Sequence, residues 1–279
     1  MTITTDPVKE SLQSASTLAD TTVSFSSAWR WGVPLFTMVA LAILLASGDN
    51  VPLFYFMNRI MGYASDGLWT HLTLLGDGLL VIMFVLPFLG RRPDVVWQYM
   101  LATILAGLFV YGMKELFSTL RPPASLLTGS FHLIGPALQN NAFPSGHTTA
   151  FFVLAGLVCL HRTNVWIKFA VLLLAILVGL SRIANGVHWP LDVLGAAMGG
   201  WIVAIVAVWL AQYWRAGLNV WVQRILALIL TLISVWAVWT LWHHYDDVYP
   251  GTHVMQVLLL VTCLALSVPG LLRLFNLKR

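Results

Sequence analysis

Eight apolar stretches, most of them far longer than a strand, set the terms on which this chain can fold. They run Trp31–Ser47, His71–Leu89, Val96–Thr119, Thr148–Leu160, Val165–Ile183, Val193–Tyr213, Trp221–Trp242 and Val254–Phe275. A helix that crosses a bilayer needs about 20 mostly apolar residues. Lipid offers no partner to an unpaired backbone group, so each crossing segment must satisfy its own amides. Stretches this long and uniform exclude barrel strands, which alternate apolar with polar residues. The composition agrees. The 279 residues are 59% hydrophobic and 9% charged, and about 25% charge is usual in soluble domains. The expected fold is therefore an all-α polytopic membrane bundle. The fourth stretch is short, and Pro269-Gly270 interrupts the last, which predicts a kink, an early stop or a re-entrant turn there.

Charge predicts the orientation, since Lys and Arg concentrate on the cytoplasmic side. With the N-terminus inside, eleven of the fifteen basic residues fall on that side: Lys9, Arg30, Arg91, Arg92, Arg162, Lys168, Arg215, Arg224, Arg273, Lys278 and Arg279. Arg59, Lys114, Arg121 and Arg182 fall on the other. The polar residues before Trp31 lack the short basic start of a secretory signal, so the first stretch reads as a retained anchor. Val51–Met57, between the first two stretches, reads as an interfacial helix with aromatic anchors. The basic residues are scattered singly, which gives no nucleic-acid footprint. Cys159 and Cys263 lie singly in apolar runs and form no metal-ligand or redox spacing.

Three polar clusters interrupt this pattern. Lys114 and Arg121, with Pro122 after them, form KxxxxxxRP. Their separation is nearly two helical turns, so a continuous helix presents both on one face. Two cations on one face suit a dianion, although snorkelling at a helix end produces the same pattern. Pro144-Ser145-Gly146-His147 opens the fourth stretch. A helix starting here points its first amides outward, where they and the helix dipole favour an anion. Ser145 can cap, Gly146 lets a ligand approach the backbone, and His147 can carry a proton. A plain capped helix start remains open. Arg182, His188 and Asp192 form SRxxxxxHxxxD. Pro190 suits a helix start. Asp192 can reach back to fix the tautomer of His188, or merely complement the helix dipole.

Together these blocks resemble the signature of the type-2 phosphatidic acid phosphatase (PAP2) and vanadium haloperoxidase superfamily, complete and in order from Lys114 to Asp192. The resemblance implies a membrane lipid phosphatase. Lys114, Arg121 and Arg182 would hold the phosphate, with hydrogen bonds from Ser145 and the Gly146 backbone. His188 would attack phosphorus, His147 would protonate the leaving oxygen and then assist water, and Asp192 would orient His188. It implies no cofactor and no metal, and the sequence has no carboxylate cluster to bind one. The partners are a lipid phosphate and the bilayer, with no nucleic acid and no reading of oligomeric state. The implied location is a bacterial inner membrane, with the active site on the periplasmic face and both termini cytoplasmic.

The expected organisation is a polar tail over 1–29, a PAP2-like core over 30–213, and two additional helices over 214–279. Substrate candidates are undecaprenyl diphosphate, phosphatidylglycerophosphate, phosphatidic acid and lipid A 1-phosphate. A lipid phosphotransferase with the same intermediate and an inert lipid-binding protein are the alternatives. Vanadium peroxidases share the signature, but they are soluble. Asp77, two turns into the second stretch, is expected to pair with a motif cation or a buried polar group. Glu115 does not face Lys114, being adjacent on a helix, and is expected to meet another helix. His132 reads as an ordinary loop histidine, and His243, His244, Asp246 and Asp247 as a solvated loop.

Overall fold

In the computed structural model, the described residues are 27–161, 164–244 and 248–275. They are all-α. The helices are α1 (Ser27–Ser47), α2 (Asn50–Met61), α3 (Asp66–Leu75), α4 (Gly78–Val81), α5 (Pro93–Phe117), α6 (Gly146–Leu160), α7 (Val165–Ala184), α8 (Pro190–Tyr213), α9 (Val220–His244) and α10 (His253–Leu274). Two 3-10 stretches, Ile82–Phe88 and Arg215–Leu218, and one turn, Pro122–Ser125, complete the order. The tail over 1–26, together with Arg162, Asp246, Asp247, Lys278 and Arg279, lies outside the described residues.

Each of the eight predicted apolar stretches is helical, but they are not equal. Among the described residues, six helices are long and apolar enough to cross a membrane. α6 has only 15 residues. The second stretch is broken: Asp66–Leu75 and Gly78–Phe88 meet at 54°. The break is local chemistry. Gly76 ends α3, and Asp77 caps α4 by accepting a 2.9 Å bond from the Leu79 amide. Proline inside the last stretch does not stop it. α10 runs continuously through Pro269. The predicted interfacial segment lies within α2.

α6 and α8 form the centre. Small residues let their backbones approach, which is how helices pack where solvent gives no driving force. A methyl on Gly156 would stand 2.7 Å from Ala204 Cβ, and one on Gly200 would stand 2.6 Å from the Thr149 carbonyl oxygen. Trp201, fully buried, lies against Gly156 at this contact, and Phe151, also fully buried, meets Phe84 of the broken span edge-on. α1 and α5 pack on α8, and α7 packs on α6. The C-terminal pair, α9 and α10, packs against the second half of the broken span. There Gly90 and Gly270 cross so closely that neither has room for a side chain. Gly76 is equally confined. A methyl on it would meet Val178 Cγ1 at 2.6 Å and the His147 carbonyl oxygen at 2.9 Å.

Candidate active site

The end of α5, the start of α6, the end of α7 and the start of α8 meet at one end of the bundle, and the three motifs lie on those four termini. Pro190 occupies the first turn of α8. Just before it, Gly186 adopts φ +74° and turns the chain out of α7 toward His188.

His188 is 2% exposed. Its Nδ1 lies 3.2 Å from Asp192 Oδ2, and the same carboxylate oxygen accepts the Trp189 amide at 2.8 Å. Its Nε2 lies 3.1 Å from Arg121 Nη1. An arginine only donates, and an ionised carboxylate only accepts. The proton therefore sits on Nδ1, and the lone pair on Nε2. Burial, and then the charges of Arg121, Arg182, His147 and Lys114, hold the His188 pKa well below its ordinary value. These surroundings favour the neutral imidazole.

Arg121 is fixed by backbone carbonyls. Its Nε donates to Asn140 at 2.8 Å, Nη1 to Val187 at 3.3 Å and Nη2 to Asn141 at 3.3 Å. Its route to the site corrects the one-face expectation for Lys114 and Arg121. α5 ends at Phe117, and Ser118 is left-handed at φ 42°. Arg121 sits in extended chain, tied by its amide to Gln139. The cations still converge, since Lys114 lies within electrostatic reach of Arg121, Arg182 and Asp192.

Arg182 is 5% exposed and hydrogen-bonds the Thr73 hydroxyl through Nη1. Its Nε is buried with no partner among the described residues. A buried guanidinium N–H left unbonded is costly unless something else fills it. The end of α7 that carries Arg182 is held by Asn58, whose Nδ2 is 2.9–3.1 Å from the carbonyls of His132, Ile183 and Ala184.

Ser145 caps α6 as expected, accepting from the Thr148 amide at 3.4 Å. The amides of Gly146 and His147 make no hydrogen bond among the described residues. They form a ready cradle for an anion. His147 Nε2 is 2.7 Å from the hydroxyl of Tyr249, which in turn donates to Asp77 Oδ2 at 2.8 Å. Asp77 thus has a buried hydroxyl as its hydrogen-bond partner, with the Arg182 guanidinium within electrostatic reach and His147 Nε2 3.8 Å from its carboxylate. Among the described residues, no three His, Cys, Asp or Glu side chains gather as a metal site.

Sequence reasoning missed Tyr249, Thr73 and Asn58. None belongs to a motif. The Tyr249-Pro250-Gly251 turn signal marks a loop but says nothing of where its tyrosine goes. Of the lesser expectations, His132 is a loop residue bonded to Asp66 at 2.7 Å. Glu115 is exposed rather than packed on another helix. His243 is exposed and bonded to its own helix. The side chain of His244 is outside the described set.

The PAP2 superfamily model matches residues 95–216. The bacitracin transport permease protein BcrC of Bacillus licheniformis is 33% identical over 161 residues, covering 57% of this chain and 71% of BcrC. The undecaprenyl-diphosphatase of Sulfolobus acidocaldarius is 31% identical over 183 residues, covering 60% of this chain and 84% of its own. The crystal structure of LpxE from Aquifex aeolicus superposes with a TM-score of 0.51 at 34% identity, covering 57% of this chain and 94% of LpxE. The chain belongs to the PAP2 superfamily. It is an integral-membrane lipid phosphatase working through a histidine nucleophile and a phosphohistidine intermediate, the general chemistry of PAP2 proteins. The segment matched to PAP2 contains all three motifs. Thr73 and Asp77 precede it, and Tyr249 follows it.

Proposed function

We propose that His188 is the PAP2 nucleophile and that the site hydrolyses a lipid phosphomonoester or diphosphate on the non-cytoplasmic face of a bacterial inner membrane. One observation carries the assignment: His188 turns Nδ1 to the Asp192 carboxylate, which accepts its N–H, and turns Nε2 to the guanidinium of Arg121.

Nε2 attacks phosphorus in line with the lipid oxygen. As the P–N bond forms and the P–O bond breaks, His147 passes a proton to the leaving oxygen. Water then attacks the phosphohistidine, gives its proton to His147, and releases inorganic phosphate and free His188. Charge spreads over the equatorial oxygens during both steps. Lys114, Arg121 and Arg182 would oppose that charge, together with the Gly146 amide and the Ser145 hydroxyl. Arg182 Nε is the donor best supported for this work, because it is buried and still unbonded. Asp192 keeps the reactive tautomer.

The core over 30–213 would supply every signature side chain, with α9 and α10 packed against its broken span. The excess of Arg and Lys at the opposite helix ends supports the orientation, with the start of α1 and the end of α10 facing the cytoplasm. Among the candidate substrates, undecaprenyl diphosphate stands first, because the diphosphatase relative aligns over 84% of its length. Phosphatidylglycerophosphate, phosphatidic acid and lipid A 1-phosphate complete the test set.

The experiment is phosphate release by purified protein in detergent from each of the four lipids, with and without vanadate. Vanadate-sensitive release, strongest with undecaprenyl diphosphate and absent in His188→Ala, is expected. Release that survives His188→Ala would overturn the nucleophile. Loss of lipid label to a second lipid, without free phosphate, would make the chain a phosphotransferase.

A further inference from the structure

We infer that Tyr249 is a positioning residue for this reaction: delivered by the α9–α10 loop, it holds His147 by Nε2 and ties that histidine to the carboxylate of Asp77. The inference deepens the reading above and rests on His147 as the general acid.

Three distant segments meet at one hydroxyl. Tyr249 lies 102 residues from His147 and 172 from Asp77 in sequence. It is 3% exposed. A buried tyrosine needs a hydrogen-bond partner, and a backbone carbonyl is enough for that. Tyr99 in this same chain shows the simpler arrangement, donating to the Val81 carbonyl at 2.7 Å. Tyr249 instead lies between a signature histidine and a carboxylate. Its loop is braced for the task. The Tyr249 carbonyl accepts the Thr252 hydroxyl at 2.8 Å, and Gln256 donates to that hydroxyl at 3.0 Å. Thr252 and Gln256 are both fully buried.

Counting hydrogens assigns the direction of the chain. A phenol has one O–H, and an ionised carboxylate has none. The phenol hydrogen goes to Asp77, so the phenol oxygen must accept from His147 Nε2–H. That fixes the His147 tautomer and leaves Nδ1 to exchange protons with the leaving oxygen and with water. When Nδ1 is protonated, the ring is cationic in a site that already holds Lys114, Arg121 and Arg182. The Tyr249 oxygen, polarised by Asp77, and the carboxylate 3.8 Å from the ring oppose that accumulation. Tyr249 touches neither phosphorus nor lipid in this scheme and acts through His147. The C-terminal helices, which lie outside the segment matched to PAP2, thereby complete the active site.

The test compares Tyr249→Phe, Asp77→Asn, His147→Ala and the Tyr249→Phe/His147→Ala double variant, each purified in detergent. Two substrates are used: a lipid phosphate, whose poor leaving group needs an acid, and p-nitrophenyl phosphate, whose good one does not. Tyr249→Phe should lower kcat on the lipid about 10-fold or more, leave KM within about twofold, and cost much less on p-nitrophenyl phosphate. The double variant should be no slower than His147→Ala alone. Asn caps helices as Asp does, so Asp77→Asn should keep α4 intact and repeat the Tyr249→Phe pattern. It also serves if Tyr249→Phe fails to fold. Equal losses on both substrates for Tyr249→Phe and Asp77→Asn, or losses additive with His147→Ala, would overturn the inference and assign Tyr249 to packing. Equal losses on both substrates for His147→Ala would overturn the acid reading instead, while non-additivity would still report the Tyr249–His147 link.

Discussion

Arg121 Nη1 stands 3.1 Å from His188 Nε2. A cation that can only donate faces the one nitrogen that must keep its lone pair. The contact marks where an equatorial phosphate oxygen would enter between them, and it makes the tautomer of His188 a measurable property.

His188→Ala should abolish turnover while leaving the protein folded in the membrane, since among the described residues its side chain bonds only Asp192 and Arg121. Asp192→Asn should cost about 10²-fold or more, because an amide can donate to Nδ1 and move the ring proton to Nε2. Initial rates on purified variants, with size-exclusion profiles for folding, check both. Retention of more than a few per cent of wild-type rate by His188→Ala would remove it as nucleophile.

The nucleophile should remain active in mild acid. Burial and the surrounding cations lower the His188 pKa well below its ordinary value, so the neutral form persists as pH falls through about 6.5. On p-nitrophenyl phosphate, the acidic limb of kcat/KM assigned to His188 should have its midpoint below that value. A midpoint at or above it would contradict the depressed pKa.

Arg182→Lys should keep the charge and lose the unbonded Nε donor. An ammonium cannot reproduce the planar fork. The variant is expected to bind vanadate about 10-fold more weakly, the scale of one charge-assisted hydrogen bond. Titration of vanadate inhibition measures this, and unchanged inhibition would mean that Nε faces no phosphate oxygen.

Orientation is open to impermeant thiol labelling in intact cells. The background is Cys159→Ala with Cys263→Ala, both buried in the wild type. Ser130→Cys should label from outside, and Arg92→Cys should not. The reverse pattern would invert the topology.

Much of this was legible in the sequence because motif spacing maps directly onto helix termini. Ser145 caps α6, Pro190 opens α8, and Asp192 reaches back to His188 from its first turn. Breaks inside apolar runs were less legible. Leu75-Gly76-Asp77-Gly78 is apolar enough on average to pass as continuous helix, yet Asp77 is placed to cap a new one. Lys114 and Arg121 satisfy a helical period, but Ser118 turns left-handed before the second turn closes. Tyr249 was the least legible. Its partners lie far away in sequence, so only tertiary packing could identify it.

The confinement of Gly76 has a mechanical consequence. A hydrogen atom there, where every other residue carries at least a methyl, sets the clearance between the broken span and the backbone that bears His147. The Val178 methyl on one side can rotate away, but the His147 carbonyl on the other can yield only by moving α6 itself. Position 76 therefore acts as a shim beneath the first turn of α6. Gly76→Ala should lift the first turn of α6 by a few tenths of an ångström and reduce catalytic rate by more than any loss of Tm would suggest, with every reacting side chain still present.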